Sequence, residues 1–436
     1  MPDKKVVTRF APSPTGHFHV GGIRSALFNF LFARQNNGTY ILRSEDTDKE
    51  RSRKEYEDEF LELFDWLGLK HDMFFRQSDR LKLYQKYIQK MMDGGFAFLS
   101  KEIPTEEGQR DEVIRFKNPN KKVTFNDLVL GDITVDTTDL GDFIIARDIN
   151  EPLYHLTAVI DDFEMGVTHV IRGQEHAPNT PRQILIQEAI GAPRPTYAHL
   201  PLILNKERAK LSKRDESVPP AIEYKKMGYL PSALLNFIAL NGWNPGGEQE
   251  VFTLPELIKK FDILKVQKGG GIFNPEKLEW FNREHIKLLP QEEINKNILE
   301  WLPENMRNPK IIPVVLERIS KWRDVKEMAQ RGELDFFFRR PEFPKKKLLF
   351  KNTSPEKISA NFNQAIKALE GLNEENFSKE NIKTALMAIA DKLDSRGEIL
   401  HPIRFSLSGL DKSPDPFIIA EILGKNETLS RLQKAV

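Results

Sequence analysis

The segment from Pro12 to Gly22 contains two histidines and three glycines between a short β-prone run and a helical pattern. Its prolines exclude a helix up to Gly16, so it predicts a rigid turn that brings His19, Gly21 and Gly22 to a helix N-terminus. Glycines there let a nucleotide approach the backbone, and the helix dipole and free N–H groups favour phosphate. The spacing is neither G-x-G-x-x-G nor a Walker A loop. Taken alone, a purely structural turn is the commoner meaning of such a segment.

A second candidate is the basic pentapeptide from Lys210 to Arg214, which follows a predicted strand near residues 202–204. Two lysines on a mobile loop suit a triphosphate, because ammonium groups can follow charge as it moves onto a leaving pyrophosphate. A charged surface loop is the simpler alternative. The joint presence of both segments, one near each end of an α/β region, is more specific than either alone.

The elements around the first segment predict a β-α-β unit. Val6 to Phe10 is β-prone, apolar residues from Ile23 to Leu31 recur at helical spacing, and Thr39 to Arg43 resumes as a strand. This order indicates a doubly wound, parallel-sheet α/β domain of Rossmann-like type. Ligands of such sheets lie at the C-terminal ends of the strands, so the residues after Phe10 and after Arg43 should face one crevice.

Further along, the pattern predicts an amphipathic helical stretch from Glu55 to about Gly94 and a helix from Thr180 to Ile190. Later strands are expected at 159–160, 167–171 and 198–203. Residues 113–142 alternate like strands and indicate an insertion between two halves of the sheet. After about residue 215 helical segments dominate, at 233–240, 254–260 and 358–369.

Length and composition limit the possible classes of protein. A chain of 436 residues predicts about three domains, and 65 Lys and Arg against 64 Asp and Glu give a net charge of +1. The absence of cysteine excludes disulfide scaffolds, thiolate zinc sites, iron–sulfur clusters and cysteine nucleophiles. No signal peptide or apolar run long enough for a membrane span is found, so a cytoplasmic protein without membrane contact is expected.

The two segments resemble the HIGH and KMSKS signatures of the class I aminoacyl-tRNA synthetases, and closely those of the bacterial-type glutamyl-tRNA synthetases. Here they read His19-Val20-Gly21-Gly22 and Lys210-Leu211-Ser212-Lys213-Arg214. The resemblance runs nearly end to end. Other matching segments, in order, are Arg9 to Gly16, Glu45 to Asp48, Asp161-Asp162, Thr168 to Gly173, Asn179 to Gln183, Asn236, Gly242-Trp243 and Leu423 to Lys425.

The resemblance implies a two-step reaction. The α-carboxylate of L-glutamate attacks the α-phosphate of ATP, which Mg²⁺ accompanies, and the glutamyl group then passes to the terminal adenosine of tRNA(Glu). By the same resemblance the expected catalytic residues are His19, Lys210 and Lys213, with Lys213 the first choice. The residues expected to bind ATP are Ser13, His19, Gly21, Gly22, Glu175, Lys210, Leu211, Ser212 and Lys213.

A substrate with a side-chain carboxylate calls for guanidinium groups, whose planar fork accepts it bidentately. Arg9 and Arg172, at the ends of two predicted strands, fit the positions that the family uses. Glu45, with help from Tyr154, is expected to accept the substrate's α-ammonium, and Ser13 completes the glutamate-binding set. Two alternatives stay open: strand-end arginines are often solvated or structurally paired, and Glu45 to Asp48 could be only a helix N-cap.

The sequence departs from the family in its insertion, where the usual cysteine and histidine zinc ligands are missing. A shortened, zinc-free insertion is expected, held by a small apolar cluster of Phe96, Phe98 and Phe116. Gln174 replaces an acidic residue that is common in the family and should leave the chemistry intact.

The predicted domains are a catalytic domain in two halves (1–93 and 143–214), the acceptor-end-binding insertion (94–142), a stem-contact domain (215–290) and an α-helical anticodon-binding region (291–436). A monomer is expected. Two alternative functions remain: an enzyme that also charges tRNA(Gln), and a non-catalytic paralogue that binds tRNA.

Overall fold

The computed structural model describes residues 5–102, 111–211, 218–351 and 353–435. The chain divides into two compact units, Met1–His285 and Ile286–Val436.

The described strands are β1 Val7–Phe10, β2 Thr39–Ser44, β3 Met73–Arg76, β4 Ala97–Lys101, β5 Glu112–Phe116, β6 Lys122–Asp127, β7 Gly131–Asp136, β8 Phe143–Ala146, β9 His169–Gly173, β10 Thr196–Leu200, β11 Ile203–Leu204 and β12 Gly271–Ile272. The described helices up to residue 287 are α1 Val20–Gln35, α2 Lys54–Leu67, α3 Leu81–Asp93, α4 Tyr154–Glu164, α5 Thr180–Ile190, α6 Ala221–Lys226, α7 Pro231–Leu240, α8 Leu254–Lys260 and α9 Pro275–Lys287.

A seven-stranded sheet organises the first unit, in the order β3-β2-β1-β9-β10-β6-β7. The pairs from β3 to β6 are parallel, and only β7 runs antiparallel to its neighbour β6. The chain winds outward from β1 through β2 to β3 and later returns to β9 on the other side of β1. The strand order therefore reverses between β1 and β9, which is where ligands bind in doubly wound sheets. The predicted Rossmann-like fold is confirmed.

Helix α1 covers this sheet with the apolar face that the sequence predicts. Ile23, Leu27 and Leu31 are fully buried at helical spacing, and they pack with Leu42 of β2 and Ile171 of β9. Burying a leucine or isoleucine side chain contributes about 1.5–3 kcal/mol, so this face fixes the helix on the sheet. The N-terminus of α1 is thereby held beside the point where the strand order reverses.

Two predicted elements are wrong. Residues 159–160 lie in helix α4 rather than in a strand, because burial of Val159 and Ile160 in the second apolar cluster outweighs the β-propensity of branched side chains. The helical stretch predicted from Glu55 to Gly94 is interrupted by β3, an edge strand without alternating burial. Its lack of a period-2 pattern explains why the sequence did not reveal it.

The predicted insertion contributes strands to two sheets. Strands β4, β5 and β8 form a three-stranded antiparallel sheet, whereas the β6–β7 hairpin extends the main sheet beside β10. Phe116 is buried and stacks on Phe143 at 5.0 Å between ring centroids. The predicted cluster of three phenylalanines is wrong, since Phe96 and Phe98 are 44% and 36% exposed. Ala97 takes the inward position on β4, and strand alternation turns its neighbour Phe98 outward.

The second unit is helical in its described residues. Its helices are α10 Gln291–Trp301, α11 Ile312–Leu316, α12 Trp322–Gln330, α13 Pro355–Glu370, α14 Lys379–Ala390, α15 Gly397–Ser408, α16 Pro416–Leu423 and α17 Lys425–Ala435. Phe362 of α13, Leu386 of α14 and Ile403 of α15 belong to one buried cluster that joins the last five helices. None of the helices in the described ranges combines the length and the apolarity needed to traverse a bilayer.

Candidate active site

A cleft of about 950 Å³ opens at the C-terminal ends of β1 and β9. The predicted site residues that line it are Arg9, Ser13, His19, Gly21, Gly22, Glu45, Tyr154, Arg172 and Glu175. The structure thus brings together residues from both halves of the predicted catalytic domain, which lie up to 166 residues apart in the sequence.

Lys210 and Leu211 do not line this cleft. Lys210 is exposed, and its backbone forms an isolated antiparallel β-bridge with Leu204. The backbone N–H of Leu211 donates to the carbonyl of Ile203 at 2.9 Å, and its side chain packs against the main apolar cluster. Ser212, Lys213 and Arg214 lie outside the described residues, so the predicted contacts of Ser212 and Lys213 with ATP stay predictions.

The first signature forms the wall of the cleft at the N-terminus of α1. His19 is the N-cap residue with an extended backbone, and its carbonyl accepts from the N–H groups of Gly22 at 2.9 Å and Ile23 at 3.3 Å. A side chain at Gly21 would meet open space, whereas one at Gly22 would collide with the ring of Phe18. Glycine at 22 is therefore required by packing within the protein, and glycine at 21 keeps the cleft side of the helix end open.

Arg9, the penultimate residue of β1, is held by a carboxylate. Its Nε donates to Asp162 Oδ1 at 3.1 Å, and Asp162 also accepts from Arg43 Nη1 at 2.7 Å. Burial acts to raise the pKa of Asp162, but Arg9 and Arg43 outweigh it and keep the pKa below its ordinary value. The two terminal nitrogens of the Arg9 guanidinium take no part in this hydrogen bond, and Arg9 lines the cleft.

Glu45 follows β2 and is positioned by Arg43, a fully buried arginine that the sequence analysis did not single out. Arg43 Nη2 donates to Glu45 Oε1 at 2.9 Å. Burial raises the pKa of Glu45, although Arg43 acts in the opposite direction. The N-cap alternative for Glu45 to Asp48 is wrong, because α2 begins only at Lys54 with Arg53 as its N-cap.

Arg172 on β9 has different neighbours. Its Nε donates to His199 Nε2 at 3.1 Å, and its Nη2 donates to Thr180 Oγ1 at 2.8 Å. It forms no ion pair with any carboxylate in the part of the chain that the structure describes. Burial lowers the pKa of Arg172. Of the two strand-end arginines, Arg9 is therefore structurally paired with a carboxylate, whereas Arg172 is not.

Tyr154 and Glu175 complete the wall around Arg172. The hydroxyl of Tyr154 lies 3.4 Å from Nδ1 of His176, and burial raises the pKa of this tyrosine. Burial, with a further contribution from Arg172, lowers the pKa of His176 to about 4, so this imidazole is neutral near pH 7. The carboxylate of Glu175 occupies the space that a side chain at position 173 would fill. Glycine at position 173 therefore allows Glu175 to adopt this conformation.

Sequence reasoning missed three polar groups that hold the site: Arg43, Asp127 and His199 are all buried behind the cleft. The signal for Arg43 was present, since a charged residue inside a buried strand needs a partner. No local pattern could have revealed the partners, because Arg43 and Asp162 are 119 residues apart and Asp127 and His199 are 72 apart.

Two family models match the chain. Residues 5–110 and 99–280 match the model described as tRNA synthetases class I (E and Q), catalytic domain. Residues 283–436 match the model described as an anticodon binding domain. The sheet, the cleft and the α-helical second unit are therefore those of a class I tRNA synthetase with its anticodon-binding region.

Relatives narrow the class further. The glutamate–tRNA ligase of Thermodesulfovibrio yellowstonii is 36% identical, with 99% of both chains covered. That of Aquifex aeolicus is 44% identical over 68% of this chain and 70% of its own. A crystal structure of a glutamate tRNA ligase from Elizabethkingia meningosepticum, in complex with its amino acid, superposes with a TM-score of 0.87 at 33% identity over 99% of both chains. The chain belongs to the glutamate–tRNA ligases of the class I synthetase family.

Proposed function

We propose that this protein activates L-glutamate with ATP and transfers the glutamyl group to the terminal adenosine of tRNA(Glu). The main support is the arrangement of Arg9 and Arg172 at the C-terminal ends of two adjacent parallel strands, in one cleft with the N-terminus of α1. Guanidinium groups select a carboxylate, and a helix N-terminus with an adjacent open glycine favours phosphate.

In the proposed complex, Arg9 and Arg172 bind the side-chain carboxylate of glutamate through the guanidinium nitrogens that the protein leaves available. Glu45 accepts the α-ammonium group, since Arg43 holds its carboxylate at the edge of the cleft. Burial raises the pKa of Glu45, and Arg43 opposes this rise in part. Tyr154 assists Glu45. The α-carboxylate is then the remaining charged group of the substrate and points toward the nucleotide.

ATP is proposed to lie along the first signature, with its phosphates near His19 and the N-terminus of α1. No group of three or more metal-ligating side chains occurs within the described ranges. This fits a magnesium ion that arrives on the phosphates of the nucleotide, since Mg²⁺ commonly uses substrate phosphates and one or two carboxylates. The ion would neutralise phosphate charge; the protein positions the reacting groups.

The first step is an in-line displacement. A carboxylate oxygen of glutamate forms a bond to the α-phosphorus, the bond from that phosphorus to the β-phosphate oxygen breaks, and pyrophosphate leaves. Such a step depends on position and charge stabilisation more than on a covalent nucleophile. Lys210 and Lys213 are proposed to follow the leaving charge. In the second step a ribose hydroxyl of the terminal adenosine attacks the glutamyl carbonyl carbon, and AMP leaves.

The tRNA partner is proposed from the second unit, whose residues 283–436 match the anticodon-binding model. We further propose that the protein acts as a monomer on tRNA(Glu). An enzyme that also charges tRNA(Gln) would use the same cleft and would differ only in its contacts with the anticodon.

The test is aminoacylation with radiolabelled glutamate, ATP and Mg²⁺, without added zinc, on purified tRNA(Glu) and tRNA(Gln) transcripts. Charging of tRNA(Glu) alone supports the proposal as stated, and charging of both identifies a non-discriminating enzyme. A folded sample that charges neither overturns the proposal and favours the tRNA-binding paralogue.

A matched pair of variants tests the role of the cleft arginine. Arg9→Gln should raise the KM for glutamate roughly 10- to 100-fold, the effect expected when a charge-assisted hydrogen bond is lost. Arg34→Gln is the control, because Arg34 also pairs with a single aspartate, Asp72 at 2.8 Å, but does not line the cleft. An equal effect of both substitutions would contradict the assignment of Arg9.

A further inference from the structure

A buried chain of hydrogen bonds lies directly behind Arg172. His199 of β10 is the cross-strand partner of Arg172 of β9. Its Nδ1 is 2.6 Å from Asp127 Oδ2, and its Nε2 is 3.1 Å from Arg172 Nε. Asp127 and His199 are 2% and 0% exposed, and neither lines the cleft.

The donors and acceptors of this chain allow one arrangement of protons. Arg172 can only donate, so Nε2 of His199 must carry a lone pair. Asp127 is ionised and can only accept: hydrogen bonds from His199 and from the N–H of Leu130 keep its pKa below the ordinary value, although burial acts to raise it. Nδ1 of His199 must therefore carry the proton. Burial lowers the pKa of His199, which keeps the imidazole neutral in this tautomer.

This arrangement distinguishes Arg172 from the other two arginines of the site. Arg9 and Arg43 are oriented by carboxylates, which also neutralise their charge. Arg172 is oriented by a neutral imidazole and by the hydroxyl of Thr180. A neutral acceptor fixes the guanidinium plane, and Arg172 forms no direct ion pair within the described residues, although Asp162 acts on its charge from a greater distance.

We propose that Asp127 and His199 are positioning residues, which fix the Arg172 guanidinium through neutral hydrogen bonds so that its charge stays available for the substrate carboxylate. The inference rests on the proposed function, in which Arg172 binds the side-chain carboxylate of glutamate. It adds that the tautomer of His199, set by Asp127, determines how well Arg172 performs this task.

Asp127→Asn tests the tautomer directly. One oxygen of Asp127 accepts the N–H groups of Val129 at 3.0 Å and Leu130 at 2.9 Å, so the oxygen of an asparagine must remain there and its NH₂ must face His199. Nδ1 then becomes the acceptor and Nε2 carries the proton, which leaves two donors facing each other between His199 and Arg172. The same logic applies to a histidine held by asparagine instead of aspartate in a catalytic triad. The KM for glutamate should rise roughly 10- to 100-fold, while the KM for ATP stays unchanged.

Two substitutions of His199 form a second, independent test. The amide of glutamine reaches approximately the position of Nε2, where its oxygen can accept from Arg172. The shorter asparagine reaches only the position of Nδ1 and cannot bridge to Arg172. His199→Gln should therefore retain a KM for glutamate close to that of the unmodified protein, and His199→Asn should raise it as Asp127→Asn does. Partial unfolding cannot imitate this order, because it lowers the apparent kcat and leaves the KM of the folded fraction unchanged.

Tyr197→Phe is the matched control. Tyr197 lies on the same strand as His199, and its hydroxyl forms a buried hydrogen bond with Gln187 of α5, at 3.0 Å from Gln187 Nε2. The substitution removes this bond and keeps the ring that faces Arg172. This variant should lose some thermal stability without a change in the KM for glutamate.

All KM values are measured by charging of tRNA(Glu) with saturating ATP, and by varying ATP at saturating glutamate. An unmodified protein that charges tRNA(Glu), with the glutamate KM raised in Asp127→Asn and His199→Asn but not in His199→Gln, supports the inference. An active unmodified protein with an unchanged glutamate KM in Asp127→Asn, or with equal shifts for ATP and glutamate, overturns the inference alone. Absence of charging by the unmodified protein overturns the proposed function, and the inference falls with it.

Discussion

Arg43 offers a quantitative test of how the site is held together. Its fully buried guanidinium lies 2.7 Å from Asp162, 2.9 Å from Glu45 and 3.7 Å from Asp161. After Arg43→Met, Asp162 keeps Arg9 and Asp161 keeps Arg80, at 3.1 and 2.7 Å. Glu45 keeps no ion-pair partner among the described residues. The substitution therefore leaves one unpaired buried charge, not three.

The expected cost is the penalty for one such charge, about 3–5 kcal/mol of unfolding free energy near pH 8. Methionine fills most of the arginine volume, so a cavity adds little. Glu45→Gln in the same chain removes the unpaired charge, and we expect the double variant to be more stable than Arg43→Met alone. Guanidinium titrations followed by circular dichroism measure both differences.

The pH dependence has a definite sign. The pKa of Glu45 is already raised above its ordinary value of 4.5 by burial, and loss of Arg43 removes the main opposing influence. The folded state then binds a proton that the unfolded state does not, so the stability of Arg43→Met should increase as the pH falls from 8 through the raised pKa. Arg43→Met with Glu45→Gln should lack this dependence.

Arg34→Met is the control for removal of an arginine as such. The Arg34–Asp72 pair is 26% and 41% exposed, and exposed pairs contribute about 0–1 kcal/mol. The reasoning would be refuted by a double variant no more stable than Arg43→Met, or by a cost for Arg43→Met as small as that of the control.

Three further predictions concern other parts of the chain. Gly22→Ala should lower the unfolding free energy by about 1–3 kcal/mol, because the new methyl group collides with the ring of Phe18. Gly21→Ala should raise the KM for ATP, and thermal melting should show no comparable loss of stability. Lys213→Ala should slow adenylate formation about 100-fold in tRNA-dependent pyrophosphate exchange, and an equal loss of glutamate binding would show that the loop is only structural. Hydrogen bonds from two arginines lower the pKa of Glu427 to about 2 from 4.5, so its contribution to stability should be complete above pH 4.5 and lost as the pH falls toward 2. Glu427→Gln should flatten that part of the pH–stability curve in thermal melts, and an unchanged curve would contradict the assignment.

Local sequence patterns predicted elements whose signals are themselves local. Helix α5 begins and ends at the predicted residues, because a proline in its first turn and a glycine after its end mark both boundaries. Helix α8 was predicted equally well, with the capping box of Thr253 and Glu256 at its start. Strand β3 and helix α4 were missed because their structure is imposed by neighbours: an adjacent parallel strand in one case and burial in an apolar cluster in the other.

The candidate site likewise contains residues that the sequence could predict and residues that it could not. The residue types that face the cleft were predictable, because arginines and a glutamate that end strands of a doubly wound sheet must meet at one edge. The residues that orient them were not, since these contacts join strands far apart in the sequence and are set by sheet order. The sequence around His199 predicts only an ordinary strand residue. The pairing of β10 with β9 is what places the His199 imidazole opposite Arg172.

That sheet order also determines which arginine can select a substrate. Among the described residues Arg172 has no direct carboxylate partner, so in the proposed complex its buried positive charge is only partly compensated, by the more distant Asp162, until a ligand supplies a negative one. Glutamate does so and relieves the penalty, whereas glutamine brings a neutral amide and leaves the charge unpaired. A binding site discriminates strongly against an analogue that leaves a buried charge or hydrogen-bonding group of the site unpaired. It discriminates less strongly against an analogue that only fits slightly less well. Selection between the two amino acids would therefore depend less on the number of arginines in the cleft than on the neutral imidazole behind one of them.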